Sequence, residues 1–402
     1  MTKAIEDVVK SDLCTGCGLC AGMFFSPAAR MEIDAKGYAR PQQTRQLTVE
    51  ESGDFANSCP GIRLEHTVRD ETFLPLWGPV KRSQTGFAVE QDIRYKGSSG
   101  GGLSALAIYL LESGKVDGVL HIAPSDTEAF ANIAQISRTR ADVLRGAGSR
   151  YAPASPLVAL ENCLQEPGVF AFIGKPCDVA ALRAISRRRA TVAEKFPILM
   201  SFMCAGTPGF KGTEAVVRAM GLEPEKTIRF RYRGNGWPGK ARAETAEGKV
   251  GEMDYDSSWG NILNRHLQFR CKICPDGTGE FADVTCADAW YGNDKGYPTF
   301  EESDGRSLVL SRSTKGMQLV NDAVEAGYLA VADLPIEDIE RMQPYQADRK
   351  RMVAARLFGR KLALRKIPKY IQMGLLKLSL NSSKKRLLRN SIGTWLRSLN
   401  DK

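Results

Sequence analysis

Cys14-Thr15-Gly16-Cys17-Gly18-Leu19-Cys20 places three thiols at a C-x2-C-x2-C spacing on one short loop. Gly16 and Gly18 let the backbone curl around a bulky inorganic core, which is how iron–sulfur clusters are gripped. Zinc, one alternative, usually asks for paired C-x2-C motifs or for histidines. The three histidines here, His66, His121 and His266, all lie away from cysteines. A redox disulfide is the other alternative. The close Cys-Pro that completes this run in two-cluster ferredoxins is absent after Cys20. The next cysteine, Cys59, precedes Pro60 and is read as the fourth ligand after a 38-residue excursion. The bland reading of Cys59 is a buried structural thiol.

A second set of cysteines follows. The apolar runs Gly168 to Gly174 and Phe196 to Cys204 are each suited to a buried parallel strand leading into a helix, Val179 to Arg189 and Gly209 to Met220. They deliver Cys177 and Cys204 to the carboxyl ends of successive strands, the crevice where doubly wound sheets bind ligands. Cys271-Lys-Ile-Cys274 is a second C-x2-C, and Cys286 stands between Asp283 and Asp288. Cys177, Cys204, Cys271, Cys274 and Cys286 are thus five candidate ligands for a second cluster, with a redox-active dithiol as the competing reading. Cys163 lies in a helical pattern without a cysteine partner and reads as filler.

Two polar turns suit a phosphate. Lys96 to Ser104 (KGSSGGGLS) opens a helical pattern through Leu111. Free amides at Ser99, Gly100, Gly101 and Gly102, together with the helix dipole, would converge on an anion. The loop is neither G-x-G-x-x-G nor G-x-x-x-x-G-K-[ST], so a plain turn is the alternative. In Gly148-Ser149-Arg150-Tyr151, Arg150 suits a phosphate and Tyr151 a ring, against an ordinary surface turn.

The surrounding elements must position these groups. Residues 76–90 read as a linker, 228–245 as a hairpin, Ser257 to Leu267 as a helix, and Ser307 to Ala326 as a closing strand–helix pair. The length of 402 residues suits two or three domains. The N-terminal stretch Met1 to Val9 is polar, without a secretory signal, and the longest apolar run, Leu103 to Leu111, is about half the ~20 residues that cross a bilayer. A cytoplasmic protein is expected, where thiols stay reduced and serve metals.

The net charge of +10 is concentrated at one end: Arg349 to Lys402 holds 16 Lys+Arg against the single acid Asp401. The rest of the chain is mildly acidic. This tail reads as basic amphipathic helices, lying either on an anionic membrane surface or on the protein's own acidic body. Aromatic and glycine interleaving is sparse, so no nucleic acid is expected.

The ordered set CTGCGLC, CPG, KGSSGGGLSALAIYLLESGKVDGV, GSRY, GKPCDVAALR, FMCAG, CKIC and ADVTCADAW resembles the coenzyme F420 hydrogenase/dehydrogenase beta-subunit family over roughly residues 8 to 345. That family also includes ferredoxin-dependent 7-hydroxymethyl chlorophyll a reductase and divinyl reductase. The tail makes the chain similar to the bacterial branch found with surface-polysaccharide genes. The resemblance implies an iron–sulfur flavoprotein with FAD held in the domain after the ferredoxin-like segment. Ser99 to Gly102, the Ser149–Tyr151 turn and Lys175 fall where FAD would be held, and Cys177, Cys204, Cys271 and Cys274 match the second cluster set. Lys175, Tyr151, Asp283 and Asp288 become candidates for polar work near the flavin, with Lys175, Tyr151 and Asp288 as catalytic candidates. The chain departs from the family pattern at Ala287-Asp288, where Gly-Asp is frequent, and at Cys286, a commonly apolar position from which a thiol could replace one ligand.

The expected fold is α/β (α+β) in three parts. A ferredoxin-like [4Fe–4S] module (1–75) precedes an α/β domain for FAD and the second cluster (76–345) and a basic helical tail (346–402). The expected function is an electron relay from ferredoxin or reduced deazaflavin through two [4Fe–4S] clusters to FAD and a small-molecule substrate. The alternatives are an electron-transfer subunit of a larger complex and a non-enzymatic metal-binding module that docks on a membrane.

Overall fold

Phe-Ala-Phe-Ile-Gly at 170–174 has no polar face, so as a strand it must be covered on both sides. In the computed structural model, which describes residues 5–24, 26–67, 70–292 and 299–400, it lies inside an eight-stranded mixed sheet. Asp401 and the first four residues fall outside the described residues.

The strands are β1 (Arg82–Ala88), β2 (Gly118–Pro124), β3 (Asn132–Ser137), β4 (Phe170–Gly174), β5 (Ile198–Phe202), β6 (Val284–Asp288), β7 (Ser307–Ser311) and β8 (Leu329–Asp333). Their order is β8-β1-β7-β6-β5-β4-β2-β3. The four strands β2, β4, β5 and β6 run parallel to one another, with Phe172 opposite Leu199, and Phe202 opposite Cys286. The remaining pairs are antiparallel. Side chains alternate between two cores. Phe170, Phe172 and Leu199 point to the face that also holds the N-terminal cysteine loop. Ala171, Met200 and Val284 point to the face covered by helix α1 (Gly102–Glu112).

The mixed α/β class is as expected, but the linker is not. Arg82–Ala88 is an interior strand, β1, paired with both β7 and β8. Its Arg-Ser-Gln-Thr composition conceals it, because Ser83 and Gln84 are buried polar residues. The expected helix at 257–267 is two short, irregular turns, Asp256–Ile262 and Leu263–His266.

Cys59 is delivered by a helix with a reciprocal cap. In Val49–Ser58, Thr48 Oγ1 accepts from Glu51 N at 3.2 Å and Glu51 Oε2 accepts from Thr48 N at 2.9 Å. Helix α2 (Pro176–Ser186) begins at the end of β4, with Pro176 at its first position, where no amide partner is needed.

The basic tail lies on the protein's own body. Helix α3 (Pro344–Leu362) buries Lys350 in an ion pair with Glu280, whose other carboxylate oxygen is 2.9 Å from His66 Nε2. The segment Lys369–Ile371 adds a parallel strand to Arg63–Glu65 of the N-terminal segment. Helix α4 (Lys384–Asn400) packs along α3. Among the described residues no helix is long and apolar enough to cross a membrane.

Candidate functional site

Cys14, Cys17, Cys20 and Cys59 line one small, mostly apolar cavity with Ile5, Val8 and Phe55. The loop needs its glycines. Gly16 and Gly18 have φ of 76° and 83°, and a Cβ on Gly18 would stand 2.8 Å from Val158 Cγ1. Gly16 N donates to Cys14 Sγ at 3.4 Å. Burial and the Asp178 carboxylate push the Cys17 thiol up to about 12. A thiolate in so dry a place is stable only against a strong positive charge, such as bound iron.

Cys177, near the start of α2, Cys204, just beyond β5, and the Cys271–Cys274 pair form a second quartet. Cys177 lies in the field of Cys204 and Cys274, and Cys204 in that of Cys271 and Cys274. Thr207 N and Gln268 Nε2 donate to Cys271 Sγ at 3.4 and 3.5 Å. Arg349, from α3, donates to the carbonyls of Cys204 and Cys271, both at 3.0 Å. Among the described residues no three His, Cys, Asp or Glu side chains converge on a point for a single ion. A [4Fe–4S] cluster takes four thiolates, each on a different iron, so each quartet fits it in number and kind of donor.

Cys286 does not join either quartet. It lies in β6 beneath the glycine loop, where a Cβ on Gly102 would be 3.4 Å from its Sγ. Burial alone raises its thiol to about 12, with no other cysteine acting on it. Cys163 is core filler, as read.

Two side chains join the quartets. Gln268 Nε2 also donates to Thr15 O at 3.2 Å, inside the first loop, and its Oε1 accepts from Arg40 at 2.9 Å. Fully buried Arg270 donates to Pro60 O at 2.9 Å, beside Cys59, and sits in the field of Cys274, Cys177 and Cys271.

At the carboxyl ends of β2, β4, β5 and β6 opens a cavity of about 230 Å³. One water needs roughly 10–15 Å³ on the same measure, so this is space for a multi-ring ligand. Its wall includes Ser99, Gly101, Gly102, Ser149, Arg150, Tyr151, Lys175, Cys204 and Asp288. Cys204 therefore belongs both to the second quartet and to the cavity.

The predicted polar residues divide. Arg150 donates through Nε to Asn132 Oδ1, while its Nη2 is buried without a partner at the cavity wall. An orphaned guanidinium N–H suits a phosphate oxygen. Tyr151 stacks obliquely on Trp259, with ring centres 4.6 Å apart. Lys175 Nζ lies 2.8 Å from Asp178 Oδ2 and 3.1 Å from Ala154 O. Burial alone would lower this ammonium; Asp178 and the neighbouring cysteines outweigh it, and the group is held protonated.

Three expectations are corrected. The glycine loop is stitched to the sheet: Ser307 Oγ accepts from Gly100 N at 3.0 Å and Gly102 N at 3.4 Å, so these amides are engaged. Ser99 Oγ lies 3.0 Å from Arg306 O and 3.1 Å from both Ala287 O and Ser307 Oγ, so this hydroxyl joins the stitching. Asp283 precedes β6, at the end away from the cavity, and accepts from Arg183, Leu199 N and Ser313. Asp288 is no free acid or base. Its two oxygens accept from Arg233 at 3.0 and 2.9 Å, and Oδ1 also accepts from Trp237 Nε1 at 2.7 Å.

Arg233 is the residue the sequence conceals. It is one of several arginines in a hairpin, yet it is fully buried and also donates to Tyr151 Oη at 3.2 Å and Pro238 O at 2.7 Å. Gln343 and Tyr345, where α3 begins, also line the cavity without any sequence signal.

Comparison with known proteins gives two family-model matches: "Coenzyme F420 hydrogenase/dehydrogenase, beta subunit N-term" over residues 84–161 and the "C terminus" model over 169–337. The beta subunit of the coenzyme F420 hydrogenase of Methanococcus voltae is 28% identical over 66% of this chain and 88% of the relative. The coenzyme F420-dependent sulfite reductase of Methanocaldococcus jannaschii is 23% identical over 86% of this chain, which spans half of that protein. The beta subunit of F420-dependent formate dehydrogenase 1 of Methanococcus maripaludis is 27% identical over 60% of this chain and 59% of the relative. Among solved structures, a chain of the F420-reducing [NiFe] hydrogenase complex of Methanosarcina barkeri has the same fold, with TM-score 0.57 at 18% identity, covering 75% of this chain and 98% of that one.

Proposed function

We infer the function from family and geometry together: the chain belongs to the coenzyme F420 hydrogenase/dehydrogenase beta-subunit family and is an electron-transferring oxidoreductase. We propose an iron–sulfur flavoprotein, cytoplasmic, that connects a reduced donor (ferredoxin or reduced coenzyme F420) to a small-molecule substrate through two [4Fe–4S] clusters and one FAD. When bound, the clusters supply one-electron transfer and the flavin exchanges it for two-electron chemistry.

What supports this reading is the unbroken series of contacts from one quartet to the other and on to the cavity. Gln268 donates to Thr15 O in the first loop and to Cys271 Sγ of the second quartet, and Arg270, next to Cys271 in the chain, donates to Pro60 O beside Cys59. Cys204 carries the series into the cavity wall. Cys14, Cys17, Cys20 and Cys59 would hold one cluster, and Cys177, Cys204, Cys271 and Cys274 the other. Arg150 and Ser149 would bind the dinucleotide's phosphates, and Tyr151 would flank a ring. Lys175 keeps its proton and offers a fixed positive charge at the wall beside Cys204. Asp288 orients Arg233, which holds Tyr151. Functionally the chain divides into an entry module (1–75), a flavin domain (76–345) and a closing tail (346–402).

A second reading, an electron-transfer subunit of a larger complex, is favoured by the near-complete coverage of the hydrogenase chain. The experiment is anaerobic purification with iron, flavin and mass measurements. About eight irons and one flavin per chain are expected. A colourless protein, or one loaded with zinc alone, refutes the relay. A native mass equal to the 44.1 kDa chain refutes the subunit reading.

A further inference from the structure

Helix α4 is packed inside out. Its inward side is polar and small: Ser391, Thr394 and Ser398 are buried, and Ser391 Oγ donates to Ala355 O of α3 at 2.8 Å. A Cβ on Gly359 of α3 would stand 2.1 Å from Ser391 O, so the two backbones touch. The apolar side faces out. Leu388, Ile392, Trp395, Leu396 and Leu399 are all exposed and, at about 100° per residue, fall within roughly 100° of the helix circumference. Beside them, at the turn that ends α3, Leu364 holds a left-handed φ of 55° and is 95% exposed, and Leu380, in the short helix Leu375–Leu380, is 85% exposed. Two oxygen–nitrogen contacts, Arg356 to Asn390 and Arg365 to Ser398, align the two helices in the same direction, so Leu364 lies by the end of the stripe, while Ser379, next to Leu380, donates to Arg351 O nearer its start.

Along this segment the charge has one sign, and an acid that reaches α4, Asp348 of α3, pairs with Arg386, away from the stripe on the helix circumference. The described residues 349–400 hold no acid. Lys361, Lys377, Lys384, Lys385, Arg389 and Arg397 are exposed and pair with no carboxylate among the described residues. By its position on the helix, Lys385 lies among the apolar residues, and Lys384 and Arg389 lie at the edges of the stripe, from which long stems reach a polar layer while covering apolar surface. An apolar stripe with a tryptophan, edged only by cations, matches a surface that is anionic outside and apolar just beneath.

We propose that this face is a peripheral docking site for an anionic phospholipid bilayer, with α4 lying in the interfacial plane. The proposal is independent of the cofactors. It is tested on the full-length protein with vesicles of phosphatidylcholine alone or mixed with phosphatidylglycerol, at physiological ionic strength. Flotation with the mixed vesicles only is expected, with a blue shift of tryptophan emission that Trp395→Phe removes while binding persists. Neutralising Lys384, Lys385 and Arg389 to Gln should weaken partition about a hundredfold, from about 1 kcal/mol per cation. The triple variant Ile392→Glu, Trp395→Glu, Leu396→Glu should lose binding while keeping wild-type iron content. Wild-type protein that ignores both vesicles overturns the proposal. So does self-association, or a co-purifying protein subunit, that the apolar variant abolishes while vesicles are never bound.

Discussion

Replacing Arg233 by methionine tests whether Asp288 is a clamp or a catalytic group. Arg233 is only 2% exposed and makes two hydrogen bonds to Asp288 and others to Pro238 O, Tyr151 Oη and Ser98 O. Its guanidinium also lies over Tyr255 and Trp290, 4.6 and 5.3 Å from their ring centres. Arg233→Met leaves a mostly buried carboxylate with Trp237 Nε1 as its remaining side-chain donor, which should cost about 3–5 kcal/mol. Asp288→Asn should cost less, because the cation keeps its carbonyl acceptors and both aromatic faces, the latter offering up to ~2 kcal/mol. The double variant Arg233→Met, Asp288→Leu should be more stable than Arg233→Met alone, since no charge is left buried. Anaerobic urea titration followed by tryptophan emission reads this directly, because Trp237 stacks on Trp290 with centres 4.7 Å apart. Flavin retention should fall in step with stability. An Asp288→Asn protein with unchanged stability and flavin, but no turnover and an altered pH profile, would refute the clamp and restore a proton-transfer role.

Two further outcomes are expected. Cys17→Ser and Cys271→Ser should each lose about four irons while Cys286→Ser loses none; iron loss on changing Cys286 would return it to the ligand set. Burial raises Glu280, but Lys350 and then His66 pull it down further, so its folded value lies below the ordinary 4.5. Its contribution to stability is therefore present above about pH 4.5 and is lost as pH falls through the lower folded value. In Lys350→Met burial dominates and the sign reverses, so the stability gap between the two proteins should narrow on acidification. A gap of constant size from pH 7 to pH 4 in thermal melts contradicts the buried pair.

The sequence was most informative where spacing is short. C-x2-C-x2-C and C-x2-C place their sulfurs by local geometry alone, and both quartets assemble around them. The apolar run at 170–174 identified its strand because only a doubly covered strand tolerates it. Asp283 and Asp288 show where such reasoning stops. At about 3.3 Å per residue a strand carries two aspartates five residues apart to ends ~17 Å distant. Only one reaches the cavity, and the motif does not say which. Cys286 looked like a ligand because it shares a short motif with Asp288, while sheet register turns it under the glycine loop. The tail's charge was legible, but not its division of labour. Arg349 and Lys350 are drawn inward to carbonyls and to Glu280, and the outward cations remain beside exposed leucines.

The strand Lys369–Ile371 against Arg63–Glu65 sets a timetable for biosynthesis. The two partners are separated by some 300 residues of chain, so at roughly 5–20 residues per second the ribosome needs about 15–60 s between them. During that interval the first cysteine loop exists without its covering strand and without α3. On the proposed relay, iron would reach Cys14, Cys17, Cys20 and Cys59 while the chain is still growing. The second quartet takes Arg349 from the same distant segment and so waits for it as well. One segment some 300 residues along the chain thus reaches both groups of cysteines.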